Sequence, residues 1–405
     1  MNKRLLVACD VHLLKAPDGS YWCDAIYKYN FWKRYMDVFQ IIRIAGRCKK
    51  VDNINPKWHR VDGPGIEIFE IPFYQGPKQL LLKYIQIQKS LKNVDEGCDA
   101  ALLRMPSQTA YMVFQHLSKD IPKAGEIVYD PSDDLNLKNQ TFIMYLLNNR
   151  ISDQLKHFCK SVNGVSYVTE YSIQKNYPSV AALKGESEEF FETSYSTITL
   201  SEDAYTNARV FNKTNHLKLA LSSVAMESDR KGEKVLIKAV KIARQRGYNV
   251  SAIIIGDGSK RKEFEEFAKK ECVEKYITFT GLLPSSNEVR DELLKSDIYV
   301  FPTQAEGLPR GILEAMAVGM PVLSTPVGGI PEIIEKDYLF SPFDAEAFAN
   351  KICYLLENPN ELNDMSEKNF EKAKGYSNNK LQKKRNEFYQ KLSNLSNKEE
   401  QKCTF

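Results

Sequence analysis

Short apolar runs alternate with helical patterns along almost the whole of this 405-residue chain, and this alternation limits the folds open to it. Between the apolar runs of the first half, residues 77–91 and 140–159 carry apolar side chains at helical spacing. Strands that alternate with helices pair in parallel, because a parallel neighbour is reached only through a crossover. The pattern therefore predicts a layered α/β domain. Its strands are expected to begin at Arg4, Val38, Ile66, Asp99, Glu126 and Val165.

A second series of the same kind follows the polar stretch 201–216, with strands expected to begin at Leu217, Val250, Tyr276, Ile298 and Pro321. Two Rossmann-like domains, 1–200 and 201–376, are the economical description. The last segment, 377–405, is predicted to be a helix that could cross back to the N-terminal domain. Two open parallel sheets place the carboxyl ends of their strands across a common cleft, where ligands usually bind.

Composition excludes several classes of protein. The net charge of +4 is too small to indicate nucleic-acid binding, although 368–402 holds ten Lys and Arg against four Glu. A solvated helix face explains that basic tail better than a lipid-phosphate patch. Eight cysteines without a C-x-x-C pair and five histidines without ligand spacing predict neither a disulfide framework nor a metal site.

Membrane-spanning and targeting segments are not expected. The apolar run after Lys3 and Arg4 is too short for a signal-peptide core. The long uncharged stretch 315–331 holds six Gly or Pro residues, too many for a spanning helix. We therefore expect a cytoplasmic chain whose contact with the inner face of the cell membrane, if any, is peripheral.

The most informative segment is FPTQAEGLPRGILEAMAVGMPVLSTPVGGIPEII, residues 301–334. It leaves a predicted strand, turns through Gly307, Pro309 and Gly311, and is expected to enter a helix near Ile312. The free N–H groups and positive dipole at a helix start form a site for a diphosphate. Small residues allow the backbone to approach such a ligand closely.

Two glutamates, Glu306 and Glu314, flank this corner with seven residues between them. Carboxylates accept hydrogen bonds from hydroxyl pairs, so one could hold a sugar and the other a ribose. Helix capping by Glu306 and a plain surface charge at Glu314 are the alternative explanations.

This segment resembles the donor-binding signature of retaining nucleotide-sugar glycosyltransferases with the two-domain GT-B fold, a family that includes bacterial capsule and O-antigen transferases. The resemblance extends more weakly over the N-terminal half, through the strings DGSYW, NFWKRYMDVF, LLRMPS, YDPSDD and GVSYVTEYSIQKNYP. It implies that Glu306 contacts the donor sugar and stabilises developing positive charge, while Glu314 holds the ribose. The donor-binding loop would be formed by Gly307, Leu308, Pro309, Arg310 and Gly311.

The family also uses an arginine and a lysine to neutralise the leaving diphosphate. Lys231, before Gly232, matches the lysine. The usual Gly-Arg pair upstream is missing from SSVAMESDRKG, and Arg230 or Arg310 could substitute for it.

Glycine turns elsewhere give weaker signals. Gly256 and Gly258 follow a predicted strand and are expected to form scaffold near the nucleotide base, with Thr280 and Gly281 close by. Gly19, in Asp-Gly-Ser, resembles the family's small-residue loop near the donor diphosphate, although a simple turn explains it equally well.

Polar residues of the N-terminal half supply further candidates. Asp130 is expected to replace a family histidine that contacts the sugar, with Asp133 as a further loop acid or a helix cap. Arg104 could bind phosphate or form a structural ion pair. His12 is expected near the cleft.

Aromatic and basic residues are mixed in the segment 30–39, and all three tryptophans fall within the first 60 residues. We hypothesise that this segment is an acceptor or bilayer face that involves Lys33 and Arg34, with core packing as the default explanation for the tryptophans.

The resemblance implies retaining transfer of a hexose-type residue from a nucleotide diphosphate sugar to a hydroxyl of a glycan in polysaccharide biosynthesis. A lipid-linked glycan is the expected acceptor. Neither a cofactor nor a metal would be needed. A catalytically silent subunit that binds a partner transferase, and a nucleotide-sugar epimerase on the same fold, are the alternatives.

Overall fold

The computed structural model describes residues 3–24, 26–133 and 141–402. The described chain forms two compact units. The first comprises 3–132, 141–195 and 382–402, and the second comprises residue 133 and 196–381. The junction therefore lies near Tyr195, whereas the sequence places it at 200. Part of the predicted C-terminal segment, 403–405, and the predicted helix start Gln140 lie outside the described residues.

The first unit contains a nine-stranded sheet. Its strands are β1 (Arg4–Lys15), β2 (Tyr21–Cys23), β3 (Ile41–Lys50), β4 (His59–Arg60), β5 (Ile66–Pro72), β6 (Ala100–Met105), β7 (Lys123–Ile127), β8 (Gly164–Tyr167) and β9 (Phe191–Ser194). Seven of them run parallel in the order β5-β3-β1-β6-β7-β8-β9, while β2 pairs antiparallel with the end of β1 and with β4. The first six of those seven follow the Rossmann strand order.

Within the described residues of this unit, six α-helices occur before the chain enters the second unit. They are α1 (Tyr29–Trp32), α2 (Gly76–Ser90), α3 (Gln108–Phe114), α4 (Phe142–Cys159), α5 (Ser172–Asn176) and α6 (Val180–Lys184). All six side chains of β6 are buried, as expected of a central parallel strand covered on both faces.

The second unit has a five-stranded parallel sheet in the order β12-β11-β10-β13-β14. The strands are β10 (His216–Ala225), β11 (Asn249–Asp257), β12 (Ile277–Phe279), β13 (Ile298–Val300) and β14 (Val322–Leu323). The helices are α7 (Glu233–Gln245), α8 (Arg261–Lys270), α9 (Ser286–Leu294), α10 (Arg310–Ala317), α11 (Ile330–Ile333), α12 (Ala345–Glu357) and α13 (Pro359–Ala373). The prediction of two Rossmann-like α/β domains is confirmed.

The last helix, α14 (Asn378–Lys402), begins in the second unit and packs with the first from Gln382 onward. Tyr389 donates a hydrogen bond to the Glu126 carboxylate at 2.7 Å, and Tyr195 donates to the same oxygen at 3.0 Å. Glu126 is buried and also pairs with Arg104. This buried cluster ties the end of the chain to the core of the first unit.

Several strands differ from the predicted pattern. The sequence predicts the first strand over RLLVACD, residues 4–10, but β1 continues to Lys15, because its pairing with β3 shifts register between Ala8 and His12 and then resumes. The strand predicted from Glu126 begins at Lys123. Its glycine, Gly125, weakens the sequence signal, yet Phe158 packs where a side chain would stand. β2, β4 and β9 are short and were not predicted.

Candidate functional site

The predicted strand-to-helix corner is present in the second unit. β13 ends at Val300, the chain turns, and α10 begins at Arg310, two residues before the expected position. Within the described chain, the backbone amides of Gly307 and Leu308 donate no hydrogen bond. The first N–H groups of α10 also lack intrahelical acceptors, as at every helix start. The corner therefore presents a set of free donors.

Two glycines, Gly311 and Gly328, allow the corner to pack closely against its neighbours. A Cβ on Gly311 would lie 2.5 Å from the Tyr299 hydroxyl and 2.6 Å from Ser222 Oγ, so α10 can approach the sheet only without a side chain there. A Cβ on Gly328 would overlap the Glu306 carbonyl oxygen, and Gly328 has a φ of +52°. The next amide, Gly329 N–H, donates to the Gly307 carbonyl at 2.7 Å. The VGGIPE segment thus supports the loop from behind.

A 3₁₀ turn at Asp229–Lys231 lies beside the corner. The Arg230 carbonyl accepts a hydrogen bond from Gln304 N–H at 2.9 Å, and Arg230 Nε donates to the Ala305 carbonyl at 3.2 Å. Gly232, with a φ of +83°, packs so closely on the Pro302 carbonyl that no Cβ would fit. These contacts hold Lys231 next to the loop, with its Nζ 5.8 Å from the Phe301 ring centroid.

The two carboxylates of the corner are half-buried. Burial raises the pKa of Glu306, against the opposing charges of Lys231, Arg230 and Arg310. Burial likewise raises the pKa of Glu314, against Arg310 and Lys231. Neither side chain accepts a hydrogen bond from any described residue. Lys231 and Arg310 thus act on both glutamates, and the structure brings together the residues that the sequence predicted for this site.

The alternative explanations for the glutamates do not fit this geometry. The residue at the N-cap of α10 is Pro309, and no side chain caps the helix, so Glu306 is not a cap. Glu314 is not a plain surface charge, because it lines a small cavity of about 60 Å³ with residues that include Leu200, Asn287 and Arg290.

Close backbone packing alone requires glycine at positions 256 and 258. A Cβ on Gly256 would overlap the Ser223 carbonyl, and one on Gly258 would lie 2.6 Å from the Met226 amide. Met226 N–H donates to the Asp257 carbonyl at 2.8 Å, so the turn fastens the ends of β10 and β11 to each other. Gly256 N–H also donates to the Gly281 carbonyl at 3.1 Å. Contact with a nucleotide base stays a prediction for these glycines.

In the first unit, Gly19 lies at the turn that joins β1 to β2, with a φ of +86°. Its amide donates to the Ala16 carbonyl at 3.0 Å, and Asp18 accepts from both the amide and the hydroxyl of Ser20. The hairpin alone accounts for this glycine. A donor contact at Gly19 stays a prediction.

Asp130 is buried and its carboxylate is fully engaged. Oδ1 accepts from the amide and hydroxyl of Ser132 and from the Tyr177 hydroxyl, at 2.6–2.8 Å, while Oδ2 accepts from Asn176 Nδ2 at 2.9 Å. Four hydrogen bonds use the acceptor sites that a carboxylate offers. They give Asp130 a loop-holding role, and its sugar contact stays a prediction without structural support.

Two further candidates of the first unit can be placed. Arg104 is buried in its ion pair with Glu126, so of the two explanations the structural ion pair is correct and the phosphate-binding one is wrong. His12 packs edge-on against Phe73 at 5.3 Å, and burial lowers its pKa.

The hypothesis of an aromatic acceptor or bilayer face at 30–39 is wrong for its aromatic side chains. Phe31, Trp32, Tyr35 and Phe39 are all buried. The Arg34 guanidinium lies 4.1 Å from the Phe31 ring centroid and covers it. Trp32 is the only fully buried tryptophan of the three, since Trp22 and Trp58 are half-buried.

Sequence reasoning missed three buried or cavity-lining charged residues. Glu233 accepts a hydrogen bond from Ser223 Oγ at 2.6 Å, its other oxygen has no partner among the described residues, and burial raises its pKa. Its position directly after Lys231-Gly232 was the available signal. Arg47 pairs with Asp10 at 3.3 Å at the edge of a cavity in the first unit, and Asp10 lies where the pairing of β1 with β3 shifts register, which local sequence patterns do not predict.

Two searches of the described residues gave negative results. No helix among them has the length and apolar character needed to cross a bilayer. No group of three or more His, Cys, Asp or Glu side chains among them is arranged to hold a metal ion.

Sequence comparisons identify relatives of the chain. Residues 206–372 match the family model described as "Glycosyl transferases group 1". Protein CapJ of Staphylococcus aureus is 28% identical over 345 residues, which cover 84% of this chain and 83% of CapJ. The putative colanic acid biosynthesis glycosyltransferase WcaL of Escherichia coli K12 is 32% identical over 144 residues, 33% of this chain and 35% of WcaL.

Solved structures share the fold at low sequence identity. Sucrose-phosphate synthase from Thermosynechococcus elongatus superposes with a TM-score of 0.69 at 14% identity, over 96% of this chain and 99% of that one. Anabaena HepE in complex with UDP gives 0.64 at 15% identity, over 95% and 98% of the two chains. These neighbours have the GT-B fold, as the resemblance implied. Residues 206–372, which contain the corner and Lys231, therefore match the glycosyl transferases group 1 family, in a chain with the GT-B fold.

Proposed function

We propose that this glycosyltransferase moves a sugar residue from a nucleotide diphosphate sugar to a hydroxyl of a glycan in polysaccharide biosynthesis, with retention at the anomeric carbon. The names of its relatives support the pathway class: WcaL is described as a colanic acid biosynthesis enzyme, and AmsK of Erwinia amylovora as an amylovoran biosynthesis enzyme. The solved HepE complexes with UDP, and with UDP and glucose, support the donor class.

One observation carries the proposal. Glu306 and Glu314 are half-buried, accept no hydrogen bond from the described residues, and are both influenced by Lys231 and Arg310. Burying a carboxylate costs free energy unless a partner compensates it. A ligand that donates hydroxyl hydrogen bonds to the carboxylates and accepts from the cations would supply this compensation. A sugar joined to a ribose through a diphosphate has both properties.

The same residues fit the steps of the transfer. As the bond between the anomeric carbon and the diphosphate oxygen breaks, negative charge grows on the diphosphate and positive charge on the sugar ring. Lys231, Arg310 and the free amides of Gly307 and Leu308 would stabilise the first charge, and Glu306 the second. In this account Arg310, at the first position of α10, supplies the positive charge that the arginine of the missing Gly-Arg pair would provide.

The departing diphosphate would accept the proton of the incoming hydroxyl on the same face of the sugar. The hydroxyl oxygen then forms the new bond to the anomeric carbon where the diphosphate oxygen left, so configuration is retained. No protein nucleophile takes part, and the account uses neither a metal nor a cofactor. A lipid-linked glycan is the proposed acceptor.

The test is release of nucleoside diphosphate from a panel of donors, UDP-glucose, UDP-galactose, UDP-N-acetylglucosamine and GDP-mannose, by the full chain. Lys231→Met should reduce turnover of the accepted donor by about 100-fold or more, because the leaving group loses its cation. Lys262→Met is the matched control, since Lys262 is an exposed lysine of the same unit.

Equal losses of donor turnover in Lys231→Met and Lys262→Met would show that Lys231 has no specific role at the site. Donor binding without any turnover by the wild-type chain would instead favour the silent-subunit alternative. The anomeric configuration of the product, read by NMR, tests retention separately.

A further inference from the structure

The first two turns of α4 expose an uninterrupted apolar run. Every side chain from Phe142 to Leu147 is exposed, with Phe142 at 75% and Ile143 at 69%. The helix begins to bury residues only at Ser152. Helices of globular proteins usually keep apolar side chains on the core-facing side, so six in a row in solvent indicate a contact surface.

Helix α2 of the same unit has the same character. Only Ile87 is buried along its fifteen residues. Leu81 is 79% exposed, Leu82 77% and Ile85 72%. Because these side chains are large and apolar, leaving them in water forgoes the favourable free energy of their burial.

The two helices line a shared groove. Leu80, Leu81 and Tyr84 of α2 and Leu147 and Ile151 of α4 line a cavity of about 610 Å³. The exposed apolar side chains of both helices therefore belong to one region of the first unit. We call this region, α2 together with the first two turns of α4, the apolar surface.

The unpaired charges around the apolar surface are mostly basic. The acids nearby lie in ion pairs, since Asp10, which lines the same cavity, pairs with Arg47 at 3.3 Å, and Asp153 of α4 pairs with Lys156 at 3.6 Å. Residues 76–94 contain Lys78, Lys83, Lys89 and Lys92 and no acidic residue. Residues 141–152 contain Arg150 and no acidic residue. Lys78, Lys89, Lys92 and Arg150 are exposed. Apolar side chains rimmed by cations match a bilayer interface that carries anionic headgroups.

We propose that the apolar surface docks the chain on a membrane that contains anionic lipids. The inference deepens the proposed function and rests on it in one respect: an enzyme that uses a lipid-linked acceptor has to work at the bilayer surface. It replaces the segment 30–39 as the candidate bilayer face, because that segment's aromatic side chains are buried.

A second copy of the chain is the competing occupant. In a two-fold symmetric dimer the same surface meets itself, so the lysines of one copy would face those of the other. Such like-charge contacts oppose association, whereas lipid phosphates neutralise the same lysines. The charge pattern therefore favours the membrane.

The experiment is vesicle flotation of the full chain. Vesicles of phosphatidylcholine alone are compared with vesicles that contain equal parts phosphatidylcholine and phosphatidylglycerol. The wild-type chain should float with the anionic vesicles, and binding should weaken as salt is raised. The double variant Leu81→Glu/Ile143→Glu should reduce the bound fraction at least tenfold, because it places two charges at the hydrocarbon boundary.

Three control variants sharpen the result. Leu183→Glu alters an exposed leucine of the same unit, 57% exposed on α6, and should leave flotation unchanged. Lys78→Gln/Lys89→Gln should weaken binding to anionic vesicles selectively. Lys33→Gln/Arg34→Gln changes the earlier candidate face and should have no effect.

Donor hydrolysis without vesicles separates this inference from the proposed function. It should be the same in Leu81→Glu/Ile143→Glu as in the wild-type chain, which also shows that the variant folds. Absence of wild-type flotation, or equal flotation of the double variant, would overturn the inference. So would a dimer in lipid-free buffer that the double variant separates into monomers.

Discussion

The buried acid Asp130 and the half-buried acid Glu306 show how two acids of one chain can have opposite roles. Asp130 accepts four hydrogen bonds from its own unit, so its charge is already compensated. Glu306 accepts none from the described residues, and burial raises its pKa. An acid left without hydrogen bonds beside three cations is arranged for a ligand, whereas a saturated acid holds a loop.

Glu306→Gln should reduce sugar transfer by about 10²–10³-fold, because the amide cannot stabilise positive charge on the sugar. The folded chain should remain at least as stable. A raised folded-state pKa means that stability falls as pH rises from the ordinary glutamate pKa through the folded one, and glutamine lacks this penalty. Transfer assays and urea unfolding between pH 4 and pH 8 measure both effects. Near-normal transfer, or a large loss of stability at neutral pH, would contradict this role.

At the scale of elements, the corner depends on the VGGIPE segment behind it. Gly328→Ala places a Cβ against the Glu306 carbonyl at a φ of +52°, so the loop has to move. We expect a cost of about 1–3 kcal/mol in the free energy of unfolding and a clear loss of donor hydrolysis.

Gly375→Ala is the control for this change, because a Cβ there meets nothing within 4 Å. Thermal unfolding and donor turnover of the two variants give the comparison. If Gly328→Ala retained full turnover, the loop's position would not matter to the reaction.

Helix α14 provides a second test at this scale. Tyr389→Phe removes a 2.7 Å hydrogen bond to the buried Glu126 carboxylate and should lower the free energy of unfolding by about 1.5–3 kcal/mol. Burial alone would raise the pKa of Glu126, but Arg104 and the tyrosine hydroxyls outweigh it and keep the pKa below the ordinary value.

Because the pKa of Glu126 is lowered in the folded chain, the stabilisation that this cluster provides depends on pH. Its stabilisation should be complete above the ordinary glutamate pKa and should be lost as pH falls through the lowered, folded-state pKa. Urea unfolding of the wild type and Tyr389→Phe should therefore converge toward acid pH. A constant difference between them at every pH would show that the hydroxyl does not act through the charged carboxylate.

For the molecule as a whole, the alternation of apolar runs and helices was enough to predict two parallel sheets, because that pattern follows directly from chain connectivity. It missed β2, β4 and β9, which are only two to four residues long. The corner from Phe301 to Arg310 was predictable because its glycines, prolines and acids are close in sequence.

Long-range contacts were harder to predict. The pairing of Arg104 with Glu126, and of both with Tyr389, joins residues far apart in the chain. Local patterns do not contain that information, so Arg104 had two open explanations. The apolar surface was also missed, since exposed leucines on α2 resemble the buried face of an ordinary amphipathic helix.

The central claim is that the corner of the second unit binds the diphosphate of a nucleotide-sugar donor. The most direct measurement is a crystal structure of the full chain with whichever of UDP, GDP, ADP and dTDP raises its melting temperature most. We expect the diphosphate within hydrogen-bond distance of the Gly307 and Leu308 amides and of Lys231, with the ribose on Glu314. A diphosphate bound elsewhere, or no stabilisation by any of the four nucleotides, would contradict the claim.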